Sequence, residues 1–138
     1  MIIGSGVDVI EIARIQQLLE RRGERFERRV YTPREIAACR RSQRPAAHYA
    51  VRFAVKEATM KAVGTGWARG VRWVDIEARD VEQGGGLRLA LHGRAAELAG
   101  ALEAAGSTHP PRLHLAVSRS RTHAVAFVML ERAGSAAR

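Results

Sequence analysis

The sequence predicts an α+β domain in which an antiparallel β-sheet wraps around one long central helix. Three observations lead there. A chain of 138 residues with 46% hydrophobic content can bury one core and needs no division into smaller units. Ala50, Ala54, Ala58 and Ala62 form a stripe of small side chains at helical spacing, filled in by Val51, Val55 and Val63, which suits a helix closely covered by a sheet. Strand-like segments open the chain at residues 1–11 and close it at about 112–119 and 122–130.

The first strand starts at the terminus and carries Asp8 near its end. Gly4 and Gly6 admit close approach, which fits a strand lying over the central helix, a strand beside a phosphate, or simple close packing. Ile12, Ile15, Leu18 and Leu19 then repeat at helical spacing beside Arg14, Arg21 and Arg22, predicting a basic amphipathic helix. Gly23 ends or interrupts it, and Arg25, Phe26, Arg28 and Arg29 form a short continuation. Thr32-Pro33-Arg34-Glu35 is a capping box with proline at the first helical position.

The central helix stops at Gly64. Residues 71–81 and 87–91 read as a β-hairpin joined by Gly84-Gly85-Gly86, which lacks the lysine and following hydroxyl of a phosphate-binding loop and is a turn. Ala95, Ala96, Leu98, Ala99 and Leu102 predict a helix over 93–105 ended by Gly106, with Pro110 and Pro111 stiffening the loop beyond. The last two strands complete the sheet, and residues from about 133 are expected to fray. Without a repeat or linker, 1–138 reads as a single domain.

Lys and Arg number 23 against 14 Asp and Glu, a formal charge of +9 that favours anionic partners such as an acidic protein, a phosphorylated coenzyme or nucleic acid. The one cysteine, Cys39, excludes an intramolecular disulfide framework and a cysteine zinc cluster. Five histidines show no zinc spacing. Asp8 and Glu11 stand where a signal peptide would need a basic start and an apolar core, and no apolar run approaches membrane-spanning length; a cytoplasmic location is the expectation.

The central helix also carries charge. Phe53, Glu57 and Lys61 are four residues apart and should stack on one face, with Arg52 and Lys56 as an adjacent stripe, so that the charges converge on one site. Taken alone, Glu57 and Lys61 are equally an ordinary surface ion pair contributing about 0.3–0.5 kcal/mol. If Asp8 meets Glu57, the two supply hard oxygen ligands one helical turn from a cation. That set suits magnesium, which takes one or two protein carboxylates and completes its shell with water and substrate phosphate.

Gly6-Val7-Asp8-Val9-Ile10-Glu11-Ile12, Arg52-Phe53-Ala54-Val55-Lys56-Glu57-Ala58 and Lys61-Ala62-Val63-Gly64-Thr65-Gly66 together resemble the 4′-phosphopantetheinyl transferases of the holo-[acyl-carrier-protein] synthase type. The likeness continues through His114–Ser120 and Ala124–Val128 and covers nearly the whole chain. It implies the phosphopantetheinyl transferase fold, and transfer of 4′-phosphopantetheine from coenzyme A to a serine of apo-acyl carrier protein, with release of adenosine 3′,5′-bisphosphate. It further implies a homotrimer with sites at subunit interfaces, acting in fatty-acid biosynthesis and lipid metabolism, with a fatty-acid or a polyketide carrier protein both open as the acceptor.

Carried over residue by residue, the resemblance gives Asp8, Glu57 and Lys61 the catalytic roles. Asp8 and Glu57 hold magnesium on the pyrophosphate, a metal-bound water near Asp8 deprotonates the serine, and Lys61 neutralises the transferred phosphoryl group. Arg52, Lys56, Gly64, Thr65 and Arg119 are candidates for binding the coenzyme. Arg14, Arg21 and Arg25 would grip the acidic carrier protein. Arg119 departs from the pattern, since the family usually has His or Asp there; an arginine keeps a phosphate contact but cannot serve as a base near neutrality. Two other readings stay open: a nucleic-acid-binding protein, for which few aromatic residues are available to stack, and a paralogue that binds coenzyme A or a carrier protein but transfers poorly.

Overall fold

Bare backbone at two positions of the first strand decides how this molecule is put together. The computed structural model describes residues 1–64, 66–103 and 107–133. In it, β1 (Ile2–Glu11) lies directly on α4 (Pro45–Val63). A Cβ at Gly4 would stand 2.2 Å from the Ala62 carbonyl oxygen, and one at Gly6 2.0 Å from that of Ala58. Of the openings the sequence leaves for these glycines, strand-on-helix packing is the one realised.

Between them run α1 (Ile12–Arg22), α2 (Glu24–Val30) and α3 (Pro33–Arg40). Gly23 separates α1 from α2 at a φ of 51°, a left-handed value that favours glycine. The capping box forms as expected: Thr32 Oγ1 accepts from the Glu35 amide at 3.2 Å, and Glu35 Oε1 accepts from the Thr32 amide at 3.0 Å. α4 starts earlier than its apolar stripe predicts, because Pro45 sits in the first turn where no amide donor is needed. It ends at Gly64 in the left-handed conformation.

Beyond α4 come β2 (Ile76–Asp80), β3 (Leu87–Leu91), α5 (Gly93–Gly100), β4 (Arg112–Arg119) and β5 (His123–Glu131). β1, β5 and β4 form one antiparallel sheet in that order, while β2 and β3 pair only with each other as a separate hairpin. The antiparallel wrapping of α4 is thus made of two sheets. Residues 73–75 form a 3-10 turn instead of the start of the predicted strand, because Asp75 caps it by accepting from the Arg72 amide at 2.9 Å. α5 ends at Gly100, short of the predicted 105; Gly106 and the tail 134–138 lie outside the described residues.

The inner face of the three-stranded sheet is small and dry. Ala124, Ala126, Val128 and Leu130 of β5 are fully buried beneath α4, whose Ala50, Ala54 and Ala58 are buried too. The outer face is apolar and open: Val7 is 51%, Val9 60% and Phe127 40% exposed, and Val7 pairs with Phe127 across the ladder.

Candidate functional site

Alternation along β1 turns Asp8 inward with Gly6 and Ile10, toward the C-terminal half of α4. There Lys61 Nζ donates to Asp8 Oδ1 at 3.1 Å and to the Val7 carbonyl at 2.9 Å. Lys61 keeps 54% of its side chain exposed, against 18% for Asp8. Glu57, one turn earlier, is half-buried; burial, and then the Asp8 carboxylate, push its pKa above 4.5, while Lys61 and Arg14 pull it back. Asp8 and Glu57 are therefore close enough to repel, which brings together the two acids and the lysine singled out by spacing.

Lys61 is bonded to Asp8 and not to Glu57, and together with Arg14 it offsets only part of what burial and repulsion by the Asp8 charge do to Glu57. A hard divalent cation would relieve that repulsion through oxygen donors of the kind it prefers. Among the described residues no cluster of three or more His, Cys, Asp or Glu side chains forms a ready-made cage. The donor set fits an ion that draws its other ligands from water and substrate, and so fits magnesium.

Arg14 of α1 stands in the open groove beside this pair, together with Val9, Glu11, Gln17 and His123. Arg21 and Arg25 are exposed on α1 and α2, and none of the three arginines enters an ion pair among the described residues.

The expected convergence of charge along α4 does not occur, because Arg52 and Lys56 point to the other side of the helix. Lys56 is completely buried, and donates to Glu35 Oε1 at 2.7 Å, to the Trp73 carbonyl at 3.1 Å and to the Ile76 carbonyl. With all three ammonium donors engaged in the interior it is not available to a coenzyme phosphate, and that assignment is corrected to a structural one. Phe53 also leaves the shared face, packing on Trp73 with ring centroids 4.9 Å apart.

Arg52 does line an open groove of about 250 Å³, with His48, Asp80, Leu87 and Arg119. Its guanidinium is 2% exposed and donates to Asp80 Oδ1 at 2.9 Å, but its Nε is buried with no partner among the described residues. Burial, then the charges of Arg119 and Arg52, hold the His48 pKa below 6.5, so the groove is cationic even with His48 neutral. Sequence reading passed over His48 and Asp80. The spacing of His48 one turn before Arg52 was a readable signal; the approach of Asp80 from the hairpin was not. Gly64, at a φ of 79°, closes α4, and Thr65 lies outside the described residues.

Comparison with known proteins bears on this geometry. The model of the 4′-phosphopantetheinyl transferase superfamily matches residues 4–127. A holo-[acyl-carrier-protein] synthase of Koribacter versatilis (strain Ellin345) is 44% identical over 131 residues, covering 95% of this chain and 99% of that protein. The crystal structure of a holo-[acyl-carrier-protein] synthase from Neisseria meningitidis superposes with a TM-score of 0.79 at 31% identity, over 96% of this chain and all of that one. The Bacillus anthracis str. Ames enzyme of the same name, in complex with CoA (3′,5′-ADP), superposes with a TM-score of 0.74 at 33% identity, over 96% of this chain and 99% of its own.

Proposed function

Because the chain belongs to the 4′-phosphopantetheinyl transferase superfamily, we propose that Asp8, Glu57 and Lys61 carry out the reaction of a holo-[acyl-carrier-protein] synthase. That reaction transfers 4′-phosphopantetheine from coenzyme A to a serine hydroxyl of apo-acyl carrier protein and releases adenosine 3′,5′-bisphosphate. The serine oxygen forms a bond to the phosphorus that carries pantetheine, and the bond from that phosphorus to the pyrophosphate bridging oxygen breaks. The observation that carries the proposal is the meeting of two mutually repelling carboxylates with one half-exposed lysine at the β1–α4 crossing.

Asp8 and Glu57 would hold magnesium, which when bound supplies charge neutralisation to the pyrophosphate. The Lys61 ammonium, fixed by the Val7 carbonyl and Asp8, has exposed surface left to meet charge developing on the transferred phosphoryl group. Arg52 and Arg119, which line one groove, would contact coenzyme phosphates there, and backbone approach would fall to Gly64 and Thr65. Arg14, Arg21 and Arg25 would orient the acidic carrier protein over the carboxylate pair.

The carboxylate pair and the Arg52–Arg119 groove lie on different faces of α4, and the outer face of the three-stranded sheet is apolar. Both features support a homotrimer in which neighbouring chains complete each site. We read 1–138 as one transferase domain, acting in the cytoplasm and in fatty-acid biosynthesis. No helix of the described residues is long and apolar enough to cross a membrane.

The test is intact-mass spectrometry of an apo-acyl carrier protein incubated with this chain and coenzyme A, with magnesium or with a chelator. A phosphopantetheine adduct that needs magnesium is the expected result. Binding of both substrates without an adduct, across several acceptors, would overturn the catalytic assignment.

A further inference from the structure

α3 and the β2–β3 hairpin face each other across a second cationic groove of about 690 Å³. Arg34 and Arg41 line it from α3 and its C-terminal end, Arg79 and Arg88 from the hairpin. It meets the Arg52 groove only at Asp80, which borders both, and shares no residue with the Asp8–Glu57 site. The hairpin register sets Arg79 directly opposite Arg88, and like charges so placed destabilise a β-ladder.

Neighbouring acids do little to offset this charge. Asp80 is held by Arg52, and Glu77, which pairs with Arg79, is also bonded by Thr32 and His92. Glu82 is the other acid on the groove wall. Arg34, Arg41 and Arg88 are exposed and enter no ion pair among the described residues. Three guanidinium groups without an ion pair among the described residues therefore share the groove with two exposed carboxylates, one of them, Asp80, already paired with Arg52, across a space of small-ligand size.

We propose that this groove binds a phosphorylated small molecule carrying at least two phosphate groups, separately from the coenzyme consumed in the transfer reaction. Guanidinium forks match phosphate oxygens in bidentate geometry, and cations spread over both walls suit several phosphates better than one. Ala38 and Val81 add a short apolar wall for the rest of the molecule.

The experiment is calorimetric titration with tripolyphosphate at constant ionic strength, on the full chain saturated with coenzyme A. The Arg34→Gln/Arg41→Gln variant, altered only at exposed side chains, should bind tripolyphosphate at least about tenfold more weakly than wild type. Its affinity for coenzyme A should be unchanged, and Arg88→Gln should weaken tripolyphosphate in the same direction. Equal binding by wild type and the double variant would overturn the proposal, as would heat no greater than a sulfate control gives. Capture of a single-stranded oligonucleotide at these arginines without competition from tripolyphosphate would overturn it too, making the groove a nucleic-acid surface.

Discussion

Two lysines five residues apart on α4 meet opposite fates. Lys56 is sealed in the interior with a carboxylate and two carbonyls, while Lys61 shares one carboxylate and one carbonyl and keeps half its surface in water. Burial lowers the Lys56 pKa, and Glu35 works against that shift by favouring the charged form. The network around Lys56 joins α3, α4 and β2 and is saturated; the Lys61 ammonium has a donor to spare and leaves the Glu57 carboxylate unbonded. Saturation marks the structural role of Lys56, while the exposed ammonium of Lys61 suits the chemical role proposed for it.

The sharpest way to break this contrast is to remove each ammonium in turn. Lys56→Met leaves Glu35 buried and unpaired and should cost about 3–5 kcal/mol in urea unfolding. Adding Glu35→Gln, which removes the stranded charge but keeps an acceptor for the Thr32 amide, should recover part of that loss. A stable Lys56→Met protein with abolished transfer would overturn the structural role. Lys61→Met should instead unfold near the wild-type midpoint, yet lose about 10²- to 10³-fold in kcat by losing charge stabilisation at the reacting phosphate.

The acids on the two sides should titrate in opposite directions. Burial alone would raise Glu77, but hydrogen bonds from Thr32, Arg79 and His92 hold it at about 2, so its contribution is complete above 4.5 and is lost as pH falls toward 2. Glu57 is raised above 4.5, so its folded state binds the extra proton and stability falls as pH climbs from 4.5 through the raised value. Urea midpoints against pH check both signs: Glu77→Gln should flatten the acid limb, and Glu57→Gln should remove the loss on the other side while weakening metal binding and turnover. Parallel curves for the two variants would defeat the contrast.

The smallest effect belongs to the periphery. Arg14→Ala should raise KM for the carrier protein by about two- to fivefold at low salt, as for a screened surface charge, and the difference should shrink as salt is added. An unchanged KM across the salt series would remove Arg14 from the docking surface.

Much of this was legible in the chain. The capping box at Thr32, the glycine stops at 23 and 64 and the small stripe of α4 are local signals, and local geometry honours them. Asp8, Glu57 and Lys61 were legible because a strand end and one helical turn fix their positions. What escaped was long-range. Helical spacing gives the angle between Lys56 and Glu57 but does not say that Glu35, 21 residues earlier, waits beneath Lys56. Asp80 reaches Arg52 from 28 residues away, and the separation of β2–β3 from the larger sheet depends on how the hairpin packs, not on its alternation pattern.

The seat of Gly4 and Gly6 on Ala62 and Ala58 has a consequence for tolerance. Where side chains separate two elements, a rotamer change alters the gap; here main chain rests on main chain, and no rotamer lies between. β1 and α4 behave as the two jaws of a calliper locked at one setting, with Asp8 on one jaw and Glu57 on the other. Drift elsewhere in the interior can repack around that instrument without changing its reading.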